Sequence, residues 1–165
     1  MLACSPRPRV FNPLPCLFGL LLALPAFANP QVDQLLTAGS SPEGVVLEIA
    51  EDDEDALADL LPLAVDTIQR LRARFPDLEI ALVTHGGEQF SLQEKYRDDY
   101  PDIHAGAQSL SNDKVAVHVC GAHAGWYGIT PEDFPGYVNV SPSGPAQINQ
   151  YEALGYVTVR LSSDD

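Results

Sequence analysis

The sequence predicts an α/β protein of three layers, with helices packed over a mostly parallel sheet of four to five strands. Three observations carry this reading. Short apolar runs rich in Val, Ile and Leu alternate with longer runs whose apolar residues recur at helical spacing. The run Val115-Ala116-Val117-His118-Val119 is almost continuously apolar, as a central parallel strand is. The chain has 165 residues, 45% of them apolar, which suits one domain with its own core.

The elements follow in chain order. Arg7 and Arg9 are the only charges before the apolar run Cys16–Leu24; Pro25 breaks that run and Ala26-Phe27-Ala28 follows. A basic start, a short apolar stretch and an A-x-A end read as a secretory signal peptide over residues 1–28, cleaved near Ala28. The run is too short to span a bilayer. Residues 29–43 read as a linker or short N-terminal extension, with room for a helix at Gln31–Thr37, and residues 44–161 as the domain. Residues 162–165 are a tail.

Val45–Ala50 is the first strand. The acidic cluster Glu51–Asp55 suits the positive end of the helix that follows. In that helix Leu57, Leu60, Leu61, Ala64, Ile68, Leu71 and Phe75 form a stripe. Pro62 is expected to kink it, and Arg70, Arg72 and Arg74 gather at its end. Ile80–Thr84 is the second strand and His85-Gly86-Gly87 its exit. Phe90–Tyr100 is polar enough for a flap or a short helix, and Ile103–Leu110 is a further helix. The third strand ends at Cys120-Gly121, and Ala122–Tyr127 starts a short helix. Val138–Val140 is a fourth strand. Ser143 caps a helix over about Ala146–Leu154, Gly155 stops it, and Tyr156–Arg160 closes the sheet. The alternation implies a small flavodoxin-like arrangement, in which ligands sit at the carboxyl ends of the strands.

Charge narrows the partners. With 9 Lys+Arg against 23 Asp+Glu the net charge is −14. Such a chain lacks the basic face that nucleic acid requires, and nothing suggests a stable membrane anchor. Removing residues 1–28 leaves 137 residues with seven basic and 23 acidic side chains, a charge of −16. It also removes Cys4 and Cys16, so one cysteine, Cys120, remains. A lone thiol makes no internal disulfide. The compartment expected is the periplasm or the cell exterior.

The stretch Val117-His118-Val119-Cys120-Gly121-Ala122-His123 carries the chemistry. Cys120 falls where the third strand hands over to a helix, and the oriented N–H groups of a helix start favour a thiolate. Gly121 lets backbone approach the sulfur. His118 shares a strand face with Cys120, and His123 is one helical turn on; either imidazole can promote thiolate formation. Cys120, His118 and His123 are therefore the candidate catalytic residues. Against this stands Cys120 as a small buried hydrophobe, with the histidines as ordinary hydrogen-bonded residues. A third reading makes His118, Cys120 and His123 ligands of copper or zinc. His85, Gly86, Gly121, Trp126 and Ser143 are candidate substrate contacts at the strand ends, with Trp126 alternatively filling core or a subunit interface. No cofactor motif is present: the chain lacks GxGxxG and P-loop spacing.

The order of these pieces resembles the DsrE/DsrF-like sulfur-relay family. The resemblance runs from about Gly44 to Leu161. It rests on Val45–Ala50, Ala81-Leu82-Val83-Thr84-His85-Gly86, Val117-His118-Val119-Cys120-Gly121, Gly128-Ile129, Val140-Ser141-Pro142-Ser143-Gly144 and Leu154-Gly155-Tyr156. It implies a flavodoxin-like subunit assembled into a homo-oligomeric ring, a trimer or hexamer. It also implies that Cys120 accepts sulfur as a persulfide from an unnamed donor protein and passes it to an acceptor. The alternative is a non-catalytic oligomeric module that binds a metal or small ligand at the same strand ends.

Overall fold

A computed structural model describes residues 29–163. The segment read as a signal peptide, 1–28, lies outside the described residues, as do the last two residues of the tail. The described residues form strands β1 (Gly44–Ile49), β2 (Glu79–Thr84), β3 (Ala116–Cys120), β4 (Asn139–Ser141) and β5 (Tyr156–Leu161). The helices are α1 (Pro30–Thr37), α2 (Leu57–Arg74), α3 (Pro101–Asn112), α4 (Gly121–Trp126) and α5 (Gly144–Ala153). All strand pairs are parallel, in the order β4-β3-β2-β1-β5. The α/β sheet architecture expected from the sequence is the one observed.

Side chains alternate across a strand, so the register sorts the sheet into two unlike faces. Glu48 is level with Val83, Val83 with His118, and His118 with Asn139. The face opposite carries Val45, Leu47, Ile49, Ile80, Leu82, Val117, Val119, Val159 and Leu161. These join Val32 and Leu35 of α1, the stripe of α2 and Ile103, Ala107 and Leu110 of α3 in the main core. Each buried Val, Leu, Ile or Phe among them contributes about 1.5–3 kcal/mol by leaving water. Among the described residues the other face is covered by α5 alone, whose Ile148 packs on Val46, Ala81 and Val83 in a small second cluster.

This division follows from the path of the chain. From β1 to β4 each connection steps one strand onward and lays α2, α3 and α4 over the main core. After β4 the chain returns to the far side of β1, and its crossover, α5, takes the opposite face. The connections leaving β3 and β4 therefore part to opposite faces. A crevice opens at the carboxyl ends of those two strands, where open α/β sheets place ligands.

Two segments differ from their sequence reading in physical detail. The expected linker is packed: Asn29 caps α1 by accepting from the Gln31 and Val32 amides at 3.0 and 3.4 Å, and Val32 and Leu35 enter the core. The polar stretch after β2 is no flap. It forms short 3₁₀ turns, Gly87–Leu92 and Glu94–Tyr96, and Gly87–Gln93 is buried. Its polar side chains fold inward onto backbone groups. Pro62 lies inside α2 on its exposed side, where the bond lost at Ala58 is open to water.

Candidate functional site

The strand ends are fixed by a residue that sequence pattern did not single out. Glu88 is fully buried just past β2. Its carboxyl oxygens accept from the Glu51 amide at 2.8 Å, the His85 amide at 3.1 Å, the Gly86 amide at 3.0 Å and the Thr84 hydroxyl. One side chain thus closes the exits of β1 and β2 together. Gly86 is required by the same packing, because a Cβ there would lie 2.2 Å from the Glu51 carbonyl oxygen.

Gln89, also fully buried, carries this frame to the cysteine. Its Oε1 accepts the Cys120 amide at 2.7 Å, which leaves its Nε2 facing His123 Nδ1 at 3.1 Å. The His85 carbonyl oxygen lies 3.0 Å from the same Nδ1. These partners ask opposite things of His123. With a hydrogen on Nδ1 the ring donates to His85; without one it accepts from Gln89.

Cys120 ends β3 and is itself the N-cap of α4: its Sγ accepts from the His123 amide at 3.5 Å. A cap is an acceptor for an orphan N–H, and a thiolate fills that role better than a thiol. The residue is 4% exposed. The N-terminus of α5 closes the other side. A Cβ on Gly144 would lie 2.5 Å from His85 Cβ and 3.3 Å from Cys120 Cβ, so only glycine lets α5 approach this closely. Ser143 caps α5 at 3.4 Å from the Ala146 amide. A cavity of about 280 Å³ opens beside Gly121 and Ser141, at the parting of β3 and β4.

The two histidines flanking Cys120 take different stations. Ser141 Oγ donates to Gln147 Oε1 at 3.2 Å, so it accepts from His118 Nδ1 at 2.9 Å. His118 Nε2 then accepts from the Tyr151 hydroxyl at 2.9 Å. Both ring nitrogens are occupied and neither is free to take a proton from Cys120. Burial pushes the His118 pKa down, in keeping with a neutral ring. His118 is thus a brace between β3, β4 and α5, and His123 is the imidazole that touches the cysteine's surroundings. Among the described residues no group of three His, Cys, Asp or Glu side chains is placed to hold a metal. His118, Cys120 and His123 do not converge as ligands.

The remaining candidates are placed as follows. His85 Nε2 pairs with Glu48 Oε1 at 2.9 Å. That bond, opposed by burial and helped by the charges of His85 and Arg160, holds the Glu48 carboxyl below its ordinary pKa. Gly121 lies against the Ser141 carbonyl. Trp126 fills no core: it is 80% exposed, with Tyr127 at 66%. His123 sits among Phe90, Trp126 and Tyr127, at ring separations of 5.1, 5.3 and 5.6 Å. The sequence held one signal for Glu88 and Gln89, a Glu-Gln pair directly after a His-Gly-Gly strand exit, but no period marks such residues as buried.

Fold and site together define a small parallel α/β protein whose one cysteine among the described residues, Cys120, is buried at the parting of two strands. No family model matches the chain, and no curated protein does. Solved structures share the fold. A protein of unknown function, MTH1491 from Methanobacterium thermoautotrophicum, superposes with a TM-score of 0.57 at 22% identity, covering 71% of this chain and 97% of that one. The ychN protein from E. coli gives 0.51 at 16% identity, covering 72% and 99%. A conserved protein of unknown function, BT1422 from Bacteroides thetaiotaomicron, gives 0.51 at 11%, covering 72% and 95%.

Proposed function

We propose that the chain is a sulfur carrier with Cys120 as the persulfide-forming residue, in line with its resemblance to the DsrE/DsrF-like family. The observation that supports this best is the station of Cys120 Sγ as the N-cap of α4 at the carboxyl end of β3, accepting from the His123 amide. Developing negative charge on sulfur is met there by the first turn of a helix.

The step is an exchange without net oxidation. The Cys120 thiolate attacks the outer sulfur of a donor R–S–SH. The new bond joins Sγ to that sulfur, the donor S–S bond breaks, and R–S⁻ leaves and takes up the proton that Cys120 lost. Onward transfer is the same step with Cys120 persulfide as donor. Gln89 holds the Cys120 amide throughout, and Gly121 and Gly144 keep the approach narrow. The same reading extends to export through residues 1–28 and to assembly as a homo-oligomeric ring.

Intact-mass analysis after treatment with excess polysulfide tests the proposal. Proteolytic mapping separates Cys120 from Cys4 and Cys16. The expected result is an added mass of about 32 Da, one sulfur atom, on the Cys120 peptide, removed by a thiol reductant. No adduct there, or the same adduct pattern in Cys120→Ser, overturns it.

A further inference from the structure

We propose that the sulfur partner docks on the exposed aromatic face of α4 through a lysine- or arginine-rich segment next to its own cysteine. The inference rests on the sulfur-carrier reading and names the class of protein that would meet Cys120.

The face is built, not merely exposed. Trp126 packs edge-on against His123 at 5.3 Å, and Tyr127 packs edge-on against Phe90 at 5.0 Å. Phe90 is buried in the same 3₁₀ turn as Gln89, which holds the Cys120 amide. The two rings are therefore fixed within two helical turns of a cysteine that is 4% exposed. Both rings flank His123, whose amide meets the Cys120 sulfur, so a partner seated on them stands next to the cysteine. Trp and Tyr faces attract ammonium and guanidinium groups.

Charge selects the same occupant. The described residues hold seven Lys and Arg side chains. Arg70, Arg72 and Arg74 at the end of α2, and Lys114 before β3, lie at the amino ends of the strands, where Asp77, Glu79 and Asp113 balance them. The carboxyl end carries the run Glu51–Asp55, with Asp52 to Asp55 exposed. That run lies against the turn after β2: the Asp52 carbonyl sits 2.3 Å from where a Gly87 Cβ would be. β1 is two strand spacings from β3, about 10 Å, a separation over which surface charge acts at low salt. Two of the remaining cations are already engaged: Arg97 pairs with Glu94 at 2.6 Å, and Lys95 lies over the Tyr96 ring at 4.5 Å. The acidic run on this side of the sheet favours a positively charged partner.

The test uses the full chain and two short synthetic peptides. Each has one cysteine activated as a thiopyridyl disulfide, flanked by lysines in one and by glutamates in the other. Thiopyridone release gives the rate, and mass mapping confirms the mixed disulfide on Cys120. At low salt the lysine peptide should react about tenfold faster or more, and the advantage should shrink towards unity at about 1 M salt. It should also fall in Trp126→Ala/Tyr127→Ala and in Asp52→Asn/Asp53→Asn/Glu54→Gln/Asp55→Asn, while Trp126→Phe keeps most of it. Equal rates, or a faster glutamate peptide, overturn the proposal. So does a change of oligomeric state in Trp126→Ala/Tyr127→Ala, which assigns the face to a second copy of the chain. Failure here leaves the persulfide result untouched, because that experiment uses no docking partner.

Discussion

The two faces of the sheet are built from the same strands and differ in almost every other respect. On one, Leu47, Leu82, Val117 and Val159 disappear beneath α1, α2, α3 and α4. On the other, Glu48, His118, Cys120 and Ser141 share the surface with Val46, Ala81 and Val83, and among the described residues α5 is the only helix over them. The contrast shows how a domain of this size separates its tasks. The apolar face supplies stability. The polar face, freed from that duty at its carboxyl end, holds groups whose burial costs energy unless each finds a partner. Among the described residues every buried polar side-chain atom has one.

Cavity-forming substitutions test the contrast with the largest expected effect. Leu47→Ala should lower unfolding free energy by about 4–5 kcal/mol, the upper part of the range for enclosed sites. Ile148→Ala, beneath the single helix, should cost about 2 kcal/mol. Urea titrations of both variants check this, and equal losses would dissolve the distinction between the faces. Next comes Glu88→Ala. It strands three donors at the exits of β1 and β2, the Thr84 hydroxyl and the Glu51 and Gly86 amides, while the His85 amide keeps the Ile49 carbonyl, and should cost about 2–4 kcal/mol. It should also speed hydrogen exchange at the Gly86 and Glu51 amides; unchanged exchange would show that the frame does not depend on Glu88.

Acid should weaken both faces by a smaller amount. Burial lowers the pKa of His104, which packs between α3 and the 3₁₀ turn, and of His118 on the polar face. Each is disfavoured as a cation in the folded state, so the unfolded chain binds more protons below the ordinary value of 6.5. Stability is then fully present above that pH and is lost as pH falls through it towards the depressed folded values. Denaturant midpoints between pH 7 and pH 5 should decline, and His118→Asn and His104→Asn should each flatten the decline. Smallest of all is Arg70→Ala. It breaks a 3.1 Å pair with Asp33 at the surface and should cost under about 1 kcal/mol.

The same contrast explains what the sequence made legible. Period and run length reveal apolar faces, so the strands, the stripe of α2 and the strand-to-helix station of Cys120 could all be read along the chain. Glu88 and Gln89 could not. They lie in a polar segment, and their burial is created by backbone groups from three separate strands that meet only once the sheet has formed. For His118, sharing a strand face with Cys120 proved insufficient: Ser141 and Tyr151 come from 23 and 33 residues further on and occupy its ring. The helix for which residues 31–37 left room is present as α1, but two apolar side chains in a short polar stretch carry no period of their own, so the packing of Val32 and Leu35 in the core was not legible.

Cys120 is the point at which the comparison is decided, because it is as buried as a core residue yet stands on the polar face. The most direct measurement is its alkylation by iodoacetamide at neutral pH, followed by mapping of the Cys120 peptide in native and in denaturant-unfolded protein. The account predicts that native Cys120 is labelled at least as fast as the unfolded thiol, without first unfolding. Labelling slower by orders of magnitude, at a rate that follows global unfolding, would contradict it and make Cys120 part of the core.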